Sequence, residues 1–168
     1  MKKKIILLLI LTILLVGIDQ IIKIYVKSNL QDKNVNIGLI SLEYSQNIGI
    51  AFGLAKDNTN TIILTGIIVI ALIVAFFIRQ LKNIDIKTSI IISMILSGGI
   101  GNLIDRIFWG GVIDYINIGN IIPKFPIFNF SDCLIVIGLI LFVIFTFREF
   151  TNIKSGRFME EQRKKFEE

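Results

Sequence analysis

Histidine is absent from the 168 residues and cysteine occurs once, as Cys133. Without histidine the usual zinc and copper ligands are nearly all missing, and so is the base that activates a serine or cysteine nucleophile. One cysteine cannot close an intrachain disulfide or form a redox pair, so Cys133 reads as a small buried residue. No metal and no cofactor is expected. Charge is also scarce, at 18% of residues, whereas 54% are hydrophobic and the mean hydropathy is +0.75. That balance belongs to an integral membrane protein. The net charge of +5 does not point to nucleic acid, because the basic residues sit in short segments flanking apolar runs, where topology signals lie.

Four such runs stand out, Ile5–Ile24, Thr61–Ile78, Thr88–Phe108 and Asn129–Phe147. Each is close to the ~20 residues a helix needs to cross hydrocarbon. The opening "MKKKIILLLILTILLVGIDQ" has the basic and apolar parts of a signal peptide, but no small-x-small cleavage site follows. It reads as a retained first helix. Lys2, Lys3 and Lys4 precede the first run, and Arg79, Lys82 and Lys87 fill the turn after the second. Arg148, Lys154, Arg157, Arg163, Lys164 and Lys165 crowd the tail. The positive-inside rule then puts both termini in the cytoplasm and residues 25–60 and 109–128 outside. Alternating apolar positions in "NVNIGLISLEYSQNIGIAFGLA" predict a β-rich piece in 25–60. The tail, 149–168, predicts a frayed interfacial or solvated helix. The expected architecture is one domain over 1–168: an all-α membrane protein, a four-transmembrane-helix bundle with a small extracytoplasmic β-rich cradle between helices 1 and 2.

Polar residues inside or beside the spans gather at one side. Asp19 and Lys23 end the first helix one turn apart, close enough to pair. They read either as an interfacial ion pair with a snorkelling lysine or as support for a functional site. In "SGGIGNLIDRIFWGG" the glycines Gly98, Gly99 and Gly101 suit close helix packing. Packing does not account for Asn102, Asp105 and Arg106. On a continuing helix Asn102 shares a face with Asp105 and with Arg106, while Asp105 and Arg106 diverge. A buried arginine needs a partner, and Asp19, Asp114 or loop carbonyls are within reach. Trp109 suits the headgroup level. Asp114 follows the "WGG" turn, and Asp132 opens the fourth run beside Asn129 and Ser131. Alone, Asp132 suits a helix N-terminus. Together, Asp114 and Asp132 are two carboxyls on one side of the membrane. Two acids in close reach cannot easily both ionise, which leaves one as general base and one as general acid for activating water against an amide.

These motifs together resemble the lipoprotein signal peptidases, or signal peptidase II, membrane aspartic peptidases of bacteria. The resemblance runs through "DQIIK" (Asp19, Gln20, Lys23), "NIGIAFG" (Asn47, Gly49, Ala51, Phe52, Gly53), "GGIGNLIDRIFWGGVIDY" (Gly98 to Tyr115) and "FNFSD" (Phe128 to Asp132). It implies that Asp114 and Asp132 form the catalytic dyad, cleaving before a diacylglyceryl-modified cysteine in prolipoprotein signal peptides. Asn102, Arg106 and Asn129 match residues that support the dyad, and Asn47 lies on the outer cradle over the site. Asp19 and Lys23 match residues near the mouth, with a structural or substrate-positioning role. Ser131 stands where the family usually has alanine, and Tyr115 where phenylalanine is common. The resemblance further implies a monomer in the bacterial cytoplasmic membrane, in contact with lipid and not with nucleic acid, its active site near the extracytoplasmic leaflet.

Two rivals predict different patterns. A small transporter or proton-coupled channel would relay charge through Asp19, Asp105 and Arg106 and needs polar groups throughout the membrane depth. The middles of the spans, such as "IILTGIIVIALIVAFFI", are almost wholly apolar. A purely structural subunit would tolerate replacement of Asp114 or Asp132.

Overall fold

The computed structural model describes residues 2–49, 58–80 and 82–167, with side chains omitted for 149 and 152–167. Four helices, α1 (Lys2–Asn29), α2 (Thr59–Gln80), α3 (Ile86–Trp109) and α4 (Phe130–Glu167), are joined with three strands, β1 (Asn34–Ile37), β2 (Ile40–Asn47) and β3 (Val112–Asn117). Each helix contains a stretch long and apolar enough to span a bilayer; in α4 it is Phe130–Arg148. The spans obey the sequence reading, but three boundaries differ. Residues 25–29 continue α1, because Val26 and Leu30 pack under the sheet. α4 remains helical through Glu167 with no break after the apolar run. The sheet is not confined to the segment between the first two helices, since β3 comes from the connection between α3 and α4.

α3 is the central element, packed against α1 and α4. Ser89, Ser93, Ser97, Gly101 and Asp105 recur every fourth residue and are all buried, a small-residue stripe that lets backbones approach. The Ser93 and Ser97 hydroxyls bond the carbonyls one turn back, Ser89 O and Ser93 O, and reach Leu8 O and Thr12 O on α1. A methyl on Gly101 would lie 2.5 Å from Asp19 Oδ2, so α1 can sit this close only against glycine. α2 buries Phe77 alone, as expected of a helix whose other faces meet lipid.

Two apolar clusters mark the ends of the bundle. Leu8, Phe77, Ile84, Ile92 and Leu96 join α1, α2 and α3 at the lysine-rich end. At the other end Val26, Leu30, Ile113 and Tyr115 form a core beneath the sheet. The sheet is antiparallel in the order β1-β2-β3. Its register shifts between Leu42, opposite Ile116, and Ser45, opposite Asp114. This bulge inserts one extra β2 residue beside Asp114, where it re-aims side chains.

Candidate active site

α3 ends where Gly110 takes a left-handed φ of 74° and returns its N–H to Arg106 O, a conformation open to glycine at little cost. The chain then turns directly into β3, and Ile113 N donates to Asp105 Oδ2 at 3.1 Å. Asp114 is thereby held next to the end of α3. Beyond β3 the loop folds back so that Tyr115 N and Ile116 N both donate to Phe128 O, and Phe128 N to Ile116 O. This closure brings the start of α4 alongside β3.

α4 begins with a reciprocal cap. Asp132 N donates to Asn129 Oδ1 at 2.9 Å, and Asn129 N to Asp132 Oδ2 at 3.1 Å. The pair satisfies two otherwise orphaned amides and fixes both side chains. Asn129 Nδ2 then reaches Asp114 Oδ1 at 2.6 Å, and Asn102 Nδ2 reaches Asp132 Oδ1 at 2.8 Å. Asn47, the last residue of β2, donates to Asp114 Oδ2 at 3.2 Å and accepts from Gly49 N. The carboxyls are thus held by three asparagines, from the end of β2, from α3 and from the start of α4.

Asp114, Asp132, Asn47, Asn102 and Arg106 line one cavity of about 370 Å³, walled otherwise by apolar side chains including Phe125, Ile127 and Val136. Burial, and then repulsion from Asp132, push the Asp114 carboxyl up to about 6, against the hydrogen bonds from Asn47 and Asn129 that pull it down. Burial likewise raises the Tyr115 phenol above its usual range. It stays protonated, and its oxygen accepts from Phe130 N at 3.3 Å.

Arg106 finds loop and helix carbonyls rather than a carboxylate: Nη2 donates to Gly49 O and Nη1 to Asn102 O, both at 3.2 Å. Its Nε is buried without a partner among the described residues.

Asp19 and Lys23 do not lie at the mouth, and Lys23 does not snorkel. They are 0% and 1% exposed, behind Asn102, because a second acid from α3 completes the cluster. Lys23 Nζ lies 2.9 Å from Asp19 Oδ2 and 2.8 Å from Asp105 Oδ2, and donates to Asn102 Oδ1 at 3.0 Å. Asp19 Oδ1 accepts from Ser131 N at the start of α4. The lysine therefore orients Asn102, since a cation can face only the amide oxygen, leaving Nδ2 for Asp132.

The sequence reading singled out Asp105 and set Gln20 beside Asp19 and Lys23, but gave neither a place in this cluster. Gln20 Nε2 donates to Asp105 Oδ1 at 3.0 Å and to Asp19 Oδ2 at 3.2 Å. The signal available was the four-residue stripe ending in Asp105, which puts that acid on the face turned to α1. Cys133 is half-buried rather than enclosed, being ~100° around the helix from Asp132. Ala51, Phe52 and Gly53 of the second motif lie outside the described residues. Among the described residues no three Asp, Glu or Cys side chains gather as metal ligands.

The model of the family described as Signal peptidase (SPase) II matches residues 11–148. The chain is 37% identical over 137 residues to the lipoprotein signal peptidase of Fusobacterium nucleatum subsp. nucleatum, covering 80% of this chain and 82% of that protein. It is 40% identical over 107 residues to that of Wigglesworthia glossinidia brevipalpis, covering 62% and 69%. A solved bacterial membrane enzyme structure superposes with a TM-score of 0.77 at 27% identity, over 86% of this chain and 90% of that one. A match across most of the chain, together with four apolar helices and the sheet-end cavity, shows that this chain belongs to the signal peptidase II family.

Proposed function

We propose that the chain is a membrane-embedded aspartic endopeptidase that removes signal peptides from prolipoproteins, cutting on the N-terminal side of the diacylglyceryl-modified cysteine. The observation that carries the reading is that Asp114 and Asp132, 18 positions apart in sequence, line one apolar-walled cavity and are each held by asparagine amides. The names of the relatives supply the substrate class.

In this mechanism the pair shares one proton. The ionised acid takes a proton from a water as the water oxygen attacks the scissile carbonyl carbon, and the other gives its proton to the carbonyl oxygen. The acid that took the water's proton then gives it to the amide nitrogen while the other carboxylate takes a proton from a diol hydroxyl; the C–N bond breaks to a carboxylic acid and an amine, and the pair again holds one shared proton. The Asn102 and Asn129 amides keep the two carboxyls from rotating away, and Arg106 Nε, without a partner among the described residues, supplies a donor near the developing charge. Chain residues are sufficient for every proton moved.

The basic residues at the other end of the bundle support a topology with both termini in the cytoplasm and, with it, a cavity near the extracytoplasmic leaflet. A substrate with its own signal helix and two acyl chains would enter laterally from lipid, as a monomeric enzyme allows.

The test is cleavage of a diacylglyceryl-cysteine lipobox peptide by the purified wild type, Asp114→Asn and Asp132→Asn, with EDTA throughout. Wild-type cleavage with a loss of about 10²–10⁴-fold in both folded variants is expected. Normal cutting by either variant would sink the dyad.

A further inference from the structure

The lysine-rich end of the bundle carries a second cavity, of about 550 Å³, between the first turns of α3 and the later part of the α4 span. Its walls are Ile90 and Ile91 from α3 and Leu141, Ile144 and Phe145 from α4, with Lys87 and Arg148 contributing the charge. The spacing explains the shape. Lys87, Ile90 and Ile91 share one face of α3, and Leu141, Ile144, Phe145 and Arg148 form an i, i+3, i+4, i+7 stripe on α4. Arg148 is 16 residues along α4 from Asp132, about 24 Å of helix, so this groove is remote from the aspartate cavity.

The groove is open along its side. Ile90, Leu141 and Ile144 are 38%, 39% and 48% exposed, so its apolar wall meets whatever surrounds the bundle. Among the described residues neither Lys87 nor Arg148 forms an ion pair. Asp85, the acid that Lys87 feels, already caps α3 by accepting from Thr88 N at 2.8 Å. Lys2, Lys3, Lys4, Arg79 and Lys82 lie in the neighbouring helix ends and turn, which makes the surroundings strongly cationic. An apolar trough beside two cations that form no ion pair among the described residues complements a molecule with hydrocarbon chains and an anionic head. A purely apolar occupant would leave both charges unused, and a soluble anion would leave the trough uncovered.

We propose that this groove binds a two-chain glycerophospholipid with an anionic headgroup, its phosphate held by Lys87 and Arg148 and an acyl chain laid along Ile90, Leu141 and Ile144. Basic pockets between membrane helices select such headgroups by charge, and alkyl burial adds affinity. This assignment does not rest on the peptidase reading.

The experiment is native mass spectrometry of the full chain in a neutral detergent, titrated with phosphatidylglycerol or with phosphatidylcholine of the same acyl chains. Phosphatidylglycerol should be retained preferentially. Lys87→Gln and Arg148→Gln should each lower its retention about fivefold, and the double variant more than tenfold, with phosphatidylcholine unchanged. Ile144→Trp, which fills the trough, should lower retention of both lipids. Arg79→Gln with Lys82→Gln removes the same charge from the same end but outside the groove, and should leave retention unaltered. A unimpaired thermal transition in each variant keeps misfolding out of the comparison. Equal retention of the two lipids overturns the proposal. So does an undiminished phosphatidylglycerol signal in the Lys87/Arg148 double variant, or an equal loss in the Arg79/Lys82 control. Displacement by glycerol phosphate at the lipid's own concentration would show a soluble-anion site and overturn it as well.

Discussion

Asn129 donates from Nδ2 to Asp114 Oδ1 at 2.6 Å while its own Oδ1 caps the helix turn that carries Asp132. A single amide thus ties the strand that presents one carboxyl to the helix that presents the other. Asn129 is wholly buried, so its partners cannot be replaced by water without cost. Asn129→Ala should lose cleavage by about 10²-fold or more and stability by about 1–3 kcal/mol, from the lost cap and the stranded Asp114 oxygen. Cleavage kinetics and thermal unfolding of the same preparation measure the two losses.

The Asp114 carboxyl has a folded value of about 6, above its ordinary 3.8. A carboxyl raised in this way favours the fold below pH 4, and that contribution is lost as pH rises from about 4 through 6, when a buried charge must form. Asp114→Asn is therefore expected to raise thermal stability by about 1–2 kcal/mol at pH 8 and by little at pH 4. Melting curves across that range check it; a variant less stable than wild type at pH 8 contradicts it.

Asn47 donates to Asp114 Oδ2 and so favours its ionised form. Removing that donor in Asn47→Ala should move the limb of the cleavage pH profile nearest 6 to higher pH, by roughly half a unit to one unit. A merely structural role for Asn47 would lower the rate at every pH without moving the limb.

Lys23 pairs with both Asp19 and Asp105. Lys23→Met leaves two buried carboxylates uncompensated and should cost about 3–5 kcal/mol. Lys23→Met combined with Asp105→Asn should recover part of that loss. A denaturant or thermal series on the two variants tests the coupling, and independent, additive losses would refute it.

Gly101→Ala would place a methyl 2.5 Å from Asp19 Oδ2, displacing the carboxylate that holds Lys23 and Ser131 N. A loss of about 1–3 kcal/mol is expected. Gly17→Ala on α1, where nothing lies within 4 Å, should be neutral or slightly stabilising. Thermal unfolding of the two variants under one condition separates a packing clash from a helix-propensity effect.

Sequence alone was sufficient for the parts set by local chemistry. Apolar runs near the length of a bilayer specify spanning helices whatever packs beside them, and alternation in "NVNIGLISLEY" specifies strands. The acids Asp114 and Asp132 were legible because a carboxyl beside a long apolar run has few reasons to persist. What the sequence left open was decided by long-range contacts. The i, i+4 spacing paired Asp19 with Lys23, but the pair is buried rather than interfacial only because Asp105 arrives from α3 and balances it. The partner of Arg106 proved to be backbone carbonyls, which carry no side-chain signature. β3 joins the sheet through pairing with β2 across the whole chain order, and its bulge beside Asp114 depends on that register. The closeness of Asp114 to Asp132 follows from a loop folding back so that Phe128 meets Ile116. Local sequence determines which groups exist and which helix face carries them; only closure of the tertiary fold brings carboxyls from a strand and a helix into one cavity and desolvates them together.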